Sequence, residues 1–192
     1  MSVQERKQRQ RTERERLIVA TARELAEAQG WDAVTTRRLA ERIEYSQPVL
    51  YSHFRGKREI IGAVAVEGAT EMALAVRAAT AAADGPRARV TALARAYLDF
   101  AERNPAVYDA IFQLDGGLAY AREDTPEPLK DAFAALLECL GEVAGDGVHP
   151  GLFTEVFWAA LHGLATLTRA GRLPPEDTGA RVELLVNRLA VL

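Results

Sequence analysis

Residues 46–54 carry the side chains whose types and spacing best suit contact with a partner molecule. Residues 35–57 form two short helix candidates separated by a turn of about three residues. The outward positions of the second candidate offer hydrogen-bond donors, acceptors and a methyl surface, a mixture that suits the base edges and phosphates of duplex DNA. These positions are Gln47, Val49, Tyr51, Ser52 and His53. The segment is therefore predicted to be the recognition helix of a helix-turn-helix.

The inward positions of the same two helices are small or apolar, as the crossing of two helices requires. They are Leu39, Ala40, Ile43, Leu50 and Phe54, which we expect in the core and not on DNA. Thr35 or Thr36 is placed to cap the first helix, and Ser46 is placed to cap the second. Pro48 is compatible with a first helical turn, where backbone N–H groups have no partner inside the helix.

The rest of the chain is also predicted to be helical. Ala, Leu, Arg and Glu recur at spacings of three and four, and no stretch alternates apolar and polar residues long enough for a strand. Glycine and proline positions divide the chain into about nine helices, which predicts an all-α fold. The expected ranges are roughly 13–29, 35–43, 47–54, 57–83, 87–103, 105–113, 126–144, 151–170 and 176–191.

Charge is distributed unevenly along the chain. Residues 1–60 hold 13 Lys and Arg against 9 Asp and Glu, a net charge of +4, whereas the remaining residues hold 11 against 18, a net charge of −7, and the two sum to −3. A basic segment on an acidic body suggests that only one end of the molecule approaches a polyanion.

Composition favours a cytoplasmic protein with no membrane segment. Residues 1–16 contain no apolar run of the kind found in secretory signals. The longest uncharged apolar stretch, residues 156–168, is shorter than the ~18–20 residues of a membrane span. Cys139 is the single cysteine, which excludes an internal disulfide and favours a reducing compartment.

Catalysis is not indicated, and neither a metal nor a cofactor is expected. His53, His149 and His162 belong to different predicted helices or loops, and no metal-binding spacing or glycine-rich phosphate loop occurs. A binding protein is therefore favoured over an enzyme.

Residues 13–66 resemble the DNA-binding region of the tetracycline-repressor (TetR) family of transcriptional regulators. The resemblance rests on Thr35-Thr36, Leu39-Ala40, the segment Leu50-Tyr51-Ser52-His53-Phe54, and Lys57. It implies a helix-turn-helix domain over residues 13–56 and a ligand-binding and dimerisation domain over residues 57–192. It also implies a homodimer on double-stranded operator DNA, because one half-site contact is rarely sufficient for specific binding.

The resemblance also implies a role for individual residues. Those expected to face the phosphate backbone are Thr36, Tyr51, His53 and Lys57. Those expected to face bases are Arg37, Gln47, Pro48, Val49 and Ser52. Ser46 completes the set of expected DNA contacts, and Arg37 is expected to be the most selective of them, through two hydrogen bonds to a guanine edge.

One position departs from the family pattern. Glu44 and Tyr45 stand in the turn, where the family usually has glycine followed by a small aliphatic residue. A non-glycine residue in left-handed backbone costs roughly 1 kcal/mol, so we expect a slightly altered turn.

The N-terminal segment, residues 1–12, is predicted to be a flexible basic arm. Residues 6–16, which include the start of the first predicted helix, carry six basic and two acidic side chains. Two interpretations remain open: a solvated extension, or an arm that follows the DNA backbone or enters a minor groove and becomes ordered on binding.

The last two predicted helices have wide apolar stripes that could form a four-helix dimer interface with their symmetry mates, or could belong to the core of one chain. The stripe residues are Phe153, Val156, Phe157, Ala160, Leu164 and Leu167 in one helix, and Val182, Leu185, Leu189 and Leu192 in the other.

A short segment around Trp158 and His162 resembles a Trp-x-x-x-His-Gly signature found in one C-terminal subgroup of the family. The two side chains are four residues apart and share a helix face. Further aromatic side chains could line the same cavity, or could be plain core: Tyr97, Phe100, Tyr108, Phe112 and Phe133. Such a site would bind a small hydrophobic or amphipathic effector.

These features predict a repressor that its effector releases from the operator. The alternative is a helix-turn-helix regulator without a small-molecule effector, controlled by a protein partner.

Overall fold

The structure is a computed structural model that describes residues 2–189, and these residues form nine α-helices and no strand. The helices are α1 Val3–Gln29, α2 Thr36–Arg42, α3 Gln47–Tyr51, α4 Lys57–Ala81, α5 Pro86–Arg103, α6 Pro105–Phe112, α7 Glu127–Leu140, α8 Pro150–Arg169 and α9 Thr178–Leu189. The prediction of an all-α fold with about nine helices is confirmed. No helix in the described part of the chain is long and apolar enough to cross a membrane.

The chain folds as two compact units. The N-terminal unit comprises the residues up to Gly68 together with Asn104–Thr125, and the C-terminal unit comprises Ala69–Arg103 together with the residues from Pro126 onward. The compact units therefore divide at positions other than the expected boundary between residues 56 and 57. The first half of α4 and all of α6 belong to the N-terminal unit.

Helix α1 begins at Val3, ten residues before the predicted start at residue 13. Ser2 and Glu5 form a capping box, in which the Glu5 N–H donates to Ser2 Oγ (3.2 Å) and the Ser2 N–H donates to Glu5 Oε2 (2.7 Å). The prediction of a flexible segment over residues 1–12 thus differs from the structure. The physical reason is that Arg, Gln and Glu are good helix formers and pair along the helix, as Arg9 does with Glu13.

Helix α6 is attached to the C-terminal end of α1 by hydrogen bonds at its own N-terminus. The Glu27 carboxylate accepts from the Ala106 N–H (3.0 Å) and the Val107 N–H (3.2 Å), which have no partner inside α6. Trp31 Nε1 donates to the Ala106 carbonyl oxygen (2.8 Å). These bonds explain why α6 belongs to the same compact unit as α1.

Two glycines let α4 approach its neighbours closely within the N-terminal unit. A Cβ atom at Gly62 would lie 2.4 Å from the Gly116 carbonyl oxygen, and one at Gly68 would lie 2.1 Å from Val107 Cγ1. No side chain fits at such distances. The contact of α4 with α6 and with the loop after α6 therefore requires glycine at both positions.

The C-terminal unit packs α5, α7, α8 and α9 around a core that includes Tyr97, Phe157, Leu161 and Val182. Within this unit, Arg77 links α4 to α7. Its guanidinium donates two hydrogen bonds of 2.8 Å to Asp131 and further hydrogen bonds to Glu138. Pairing with Asp131 and Glu138 holds the pKa of Arg77 above its ordinary value, and bonding to Arg77 holds the pKa of both carboxyls below theirs.

The structure corrects the predicted apolar stripes of the last two helices. Phe157 of α8 and Val182 of α9 are buried in the core of their own chain. The exposed large apolar side chains of these helices are Leu152, Val156, Leu167, Leu184 and Leu189. Leu192 lies outside the described residues. Both helices are apolar on more than one side, so periodicity alone does not define which side faces out.

We predict that Gly68→Ala destabilises the protein by about 1–3 kcal/mol, because the added methyl group has no room beside Val107. Gly179→Ala in α9 is the matched control, since a Cβ at Gly179 meets nothing within 4 Å. Thermal unfolding followed by circular dichroism checks this. An unchanged unfolding midpoint for Gly68→Ala would contradict the close α4–α6 contact, whereas Gly179→Ala should unfold at the same or a slightly higher temperature.

Candidate nucleic-acid interface

Helices α2 and α3 cross through a small apolar contact that fixes their relative orientation. Leu39 and Leu50 are fully buried, and Ala40 and Ile43 are buried beside them, as predicted, while Phe54 is half-buried. Thr35 caps α2, its hydroxyl accepting from the Arg38 N–H (3.2 Å). Because the inward side chains are enclosed, the remaining side chains of α3 face outward.

The turn between the two helices contains Glu44 in the left-handed conformation, with φ of +57°. Glu44 therefore adopts the same left-handed backbone that glycine would favour, at a cost of roughly 1 kcal/mol. The altered turn that we expected from the absence of glycine is not needed. The Tyr45 N–H donates to the Ala40 carbonyl oxygen (2.9 Å) and closes the end of α2.

The outer face of α3 is open to solvent. Gln47 and Pro48 are exposed, Val49 is half-buried, and Tyr51 is 51% exposed. Ser46 occupies the capping position of α3, but its side chain makes no capping bond; its carbonyl oxygen accepts from the Val49 N–H (3.0 Å) instead. The Ser52 hydroxyl donates to the Val49 carbonyl oxygen (2.6 Å).

Two hydroxyl groups expected on the phosphate backbone lie side by side. Thr36 Oγ1 at the start of α2 and the Tyr51 hydroxyl at the end of α3 are 3.3 Å apart, a hydrogen bond in which either group can be the donor. The structure thus brings together one polar group from each helix at the solvent-facing edge of the motif. Such a pair can contact one phosphate group from two helices at once.

Arg37 is an exposed member of the predicted DNA contacts, with 77% of its side chain accessible. Its Nε atom donates to Glu41 Oε1 one helical turn away (2.9 Å), and this hydrogen bond raises the pKa of the guanidinium above its ordinary value. Guanidinium has five N–H donors, so the bond to Glu41 still leaves donors that could bind a base edge.

His53 lies elsewhere than predicted. It follows the end of α3, and its side chain is only 6% exposed, with Nδ1 3.3 Å from Glu15 Oε1 of α1. Glu15 also accepts from Arg11 Nε (2.9 Å), and the bond from Arg11, reinforced by His53, lowers the pKa of the Glu15 carboxyl. The predicted position of His53 on the outer face of α3 is therefore wrong, because its side chain is buried and contacts a residue 38 positions away.

Lys57 is also engaged inside the N-terminal unit. Its ammonium group donates to the Trp31 carbonyl oxygen and is partly buried at the start of α4. His53 and Lys57 therefore fix the ends of the motif to α1 and to the turn after it. The sequence pattern gave no signal for either partner, since both contacts join residues far apart in the chain.

One contact of the motif was missed at the sequence level. The Arg14 guanidinium lies over the ring of Tyr45, 6.0 Å from its centroid, and links α1 to the turn before α3. Tyr45 is one of the two departures from the family pattern, and this contact gives its aromatic ring a partner.

Three of the residues predicted to bind an effector meet in the C-terminal unit. Trp158 Nε1 of α8 donates to the Tyr97 hydroxyl of α5 (3.0 Å), and the Phe133 ring of α7 meets the Trp158 ring edge-on, with centroids 6.3 Å apart. We call Tyr97, Phe133 and Trp158 the aromatic cluster. His162 is half-buried one turn along α8, and burial lowers its pKa, which favours the uncharged imidazole.

The other three aromatic residues predicted to contact an effector are divided between the two units. Phe100 is buried in α5 of the C-terminal unit. Tyr108 and Phe112 belong to α6 of the N-terminal unit and pack on each other, with ring centroids 4.7 Å apart. The seven residues are thus distributed over both units.

The C-terminal unit also contains a cleft of about 470 Å³ between α5, α8 and the start of α9. Leu98, Ala101, Leu164 and Ala165 are among its apolar lining residues, and none of the seven predicted residues lines it. Its volume is within the range of small-molecule sites. Within residues 2–189, no three His, Cys, Asp or Glu side chains are grouped so as to hold a metal ion.

The fold and the exposed face of α3 define a helix-turn-helix DNA-binding protein. Residues 18–64 match the family described as bacterial regulatory proteins, tetR family, and residues 90–189 match the tetracyclin repressor-like C-terminal domain, which alone is more than half of the chain. The chain belongs to the tetracycline-repressor family of transcriptional regulators. Members of this family bind operator DNA and are typically dimeric.

Individual relatives agree with this assignment. The uncharacterized HTH-type transcriptional regulator Rv0681 of Mycobacterium tuberculosis is 29% identical over 179 residues, which cover 90% of this chain and 78% of that protein. The class C tetracycline repressor protein of Escherichia coli is 48% identical over 48 residues, 25% of this chain and 22% of that protein. A solved structure of a protein with unknown function from Rhodococcus sp. RHA1 is 26% identical, with a TM-score of 0.74, and the match covers 92% of this chain and 94% of that one.

Proposed function

We propose that this regulator is a cytoplasmic repressor that binds a two-fold symmetric operator through α3 and leaves it when a small hydrophobic or amphipathic effector binds. The observation that carries the proposal is the open outer face of α3, held by the buried Leu50 on its opposite side. A short helix supported in this way fits the major groove of B-form DNA.

We infer separate roles for the polar groups of this surface. Arg37, Gln47, Pro48, Val49 and Ser52 contact base edges. Thr36 and Tyr51 contact phosphate through their adjacent hydroxyls. Ser46 places its exposed side chain at the N-terminus of α3, where helix and phosphate meet. His53 and Lys57 contribute by positioning, since both form hydrogen bonds within the N-terminal unit.

Selection of bound sequences from a random DNA pool by the purified protein should recover a near-palindromic site. Arg37→Gln should weaken binding to that site by about 1–3 kcal/mol and remove the preference for one base pair in each half-site. Arg42→Gln is the matched control, because it removes the same charge from the same exposed helix, beside Arg38 and Glu41. The control should leave base preference unchanged. Equal changes in preference for both variants, or recovery of no consensus, would contradict the proposed roles.

We propose that the homodimer forms through α8 and α9. The exposed apolar residues Leu152, Val156 and Leu167 follow one side of α8, with Ala159 also exposed and Gly163 half-buried between them. Small residues at these positions let a second helix approach closely. Leu184 and Leu189 add exposed apolar surface on α9.

Val156→Glu should shift the protein from dimer to monomer, because it places a carboxylate in the proposed apolar contact. Leu17→Glu is the control, since Leu17 is an exposed apolar residue of α1. Sedimentation equilibrium measures the mass of both variants and of the unaltered protein. A Val156→Glu variant that stays dimeric would show that α8 does not form the interface.

We also propose that the effector binds within the C-terminal unit, beside the aromatic cluster and His162, with Phe100 as a further contact. A half-buried imidazole one helical turn from Trp158, with its pKa lowered by burial, suits an apolar molecule with one polar group. The Trp-x-x-x-His-Gly arrangement of Trp158, His162 and Gly163 supports membership of the C-terminal subgroup with that signature. Helix α4 continues from the C-terminal unit into the N-terminal unit and could carry the effect of binding to α3.

Anilinonaphthalene sulfonate, an amphipathic fluorescent probe, tests this coupling. It should bind the protein and weaken operator binding, and the operator should weaken probe binding by the same factor. Trp158→Ala should reduce probe affinity, whereas Leu74→Ala, at an exposed position of α4, should not. Probe binding that leaves operator affinity unchanged would contradict release by an effector. Failure of the probe to bind would favour control by a protein partner.

A further inference from the structure

The N-terminal part of α1 extends away from the core as a preformed helix. Every residue from Ser2 to Arg16 is exposed or half-buried, and the first fully buried residue of α1 is Ile18. At 1.5 Å per residue, the turns from Val3 to Arg14 extend about 16 Å beyond the packed part of the helix. Packing within the unit does not explain this length.

The basic side chains of this extension are arranged by helical spacing. Lys7, Arg11 and Arg14 are four and three residues apart, so they lie on one side of α1 and continue toward Ile18, which faces the core. We call these three residues the basic stripe. Arg6 and Arg9 lie on other sides of the helix, where Arg9 pairs with Glu13 (3.7 Å).

Two contacts fix the basic stripe next to the helix-turn-helix. Arg14 lies over the ring of Tyr45, which precedes α3, and the neighbouring Glu15 is 3.3 Å from His53, which follows α3. The start of the extension is therefore held against both ends of the recognition helix. Arg11 and Lys7 stand one and two turns further along the same face, so the stripe continues the surface that includes α3.

The partner that fits this stripe is a regularly spaced polyanion. Lys7 to Arg14 span about 10 Å of helix axis. Duplex DNA presents one negative charge per about 1.7 Å of its own axis, so several phosphates lie within reach of the three cations. Arg11 donates one bond to Glu15, and its guanidinium has further donors for phosphate. Because the helix is already formed, binding needs no ordering of the segment.

We propose that the basic stripe binds the phosphate backbone of DNA that flanks each half-site, and so lengthens the contact with DNA beyond the bases that α3 contacts. The proposal rests on the proposed function of α3 as the recognition helix. It assigns the extension to the phosphate backbone, as opposed to insertion of a flexible arm into a minor groove. The stripe adds affinity without adding base preference.

The test compares two double variants that remove the same charge at the same distance along α1. Lys7→Gln with Arg11→Gln alters the basic stripe and breaks the Arg11–Glu15 pair, and Arg6→Gln with Arg9→Gln alters other sides of the helix and breaks the Arg9–Glu13 pair. Each is titrated with the selected operator, first trimmed to the two half-sites and then with about one helical turn of flanking duplex on each side.

On the extended duplex, the stripe variant should reduce the slope of log Kd against log salt concentration by about 1.8, the value for two lost phosphate contacts. The variant with Arg6 and Arg9 replaced should keep the slope of the unaltered protein. On the trimmed duplex, all three proteins should bind alike. Far-ultraviolet circular dichroism verifies that the helix content of both variants is preserved.

Other results would overturn the proposal. If the slope of log Kd against log salt concentration fell equally in the two double variants, the net charge of α1 would attract DNA, whichever side of the helix carries it. If the slope were unchanged in both double variants, the extension would not contact DNA. An acidic protein surface would then be the better candidate partner. Failure of the unaltered protein to bind any duplex would instead reject the proposed function of α3, which separates the two hypotheses.

Discussion

The burial of Leu50 is the interaction on which the DNA-binding surface depends. Helix α3 has five residues, far fewer than a helix needs to be stable alone in water. Leu50 and Leu39 are both fully buried, and the packing of α2 against α3 holds the short helix in place. Because one side of α3 is committed to the core, Gln47, Pro48 and Tyr51 must lie on the other side. The exposed recognition surface is thus a consequence of the burial of the opposite, apolar side of α3.

The ends of α3 are fixed by contacts from outside the motif. Arg14 reaches the turn before it, Glu15 reaches His53 after it, and Lys57 bonds to the Trp31 carbonyl oxygen. The three contacts connect α3 and the start of α4 with α1 and the turn that follows it. Rigid support of this kind reduces the conformational entropy that binding would otherwise cost. These contacts also explain how His53 and Lys57, which resemble DNA contacts by sequence, can instead support the motif.

Local patterns were sufficient to predict the helices and the inward face of the motif. Leu39, Ala40, Ile43 and Leu50 follow helical spacing, and the structure buries all four. Long-range contacts were not predictable in this way, because nothing near His53 in sequence indicates Glu15 as its partner. In α1, the density of charge suggested flexibility, whereas helix propensity and pairs such as Arg9–Glu13 produce a continuous helix. In α8, apolar residues on several sides left the outward side undefined, and Phe157 proved to be core.

If α3 is the recognition helix, DNA covers its outer face. Hydroxyl-radical labelling of the protein with and without its selected operator tests this most directly. Tyr51 and Tyr120 are 51% and 44% exposed, and the phenol of each is hydrogen-bonded, so they form a matched pair. Labelling of Tyr51 should fall sharply when the operator is bound, while labelling of Tyr120 stays constant. Unchanged labelling of Tyr51 in a saturated complex would contradict the account.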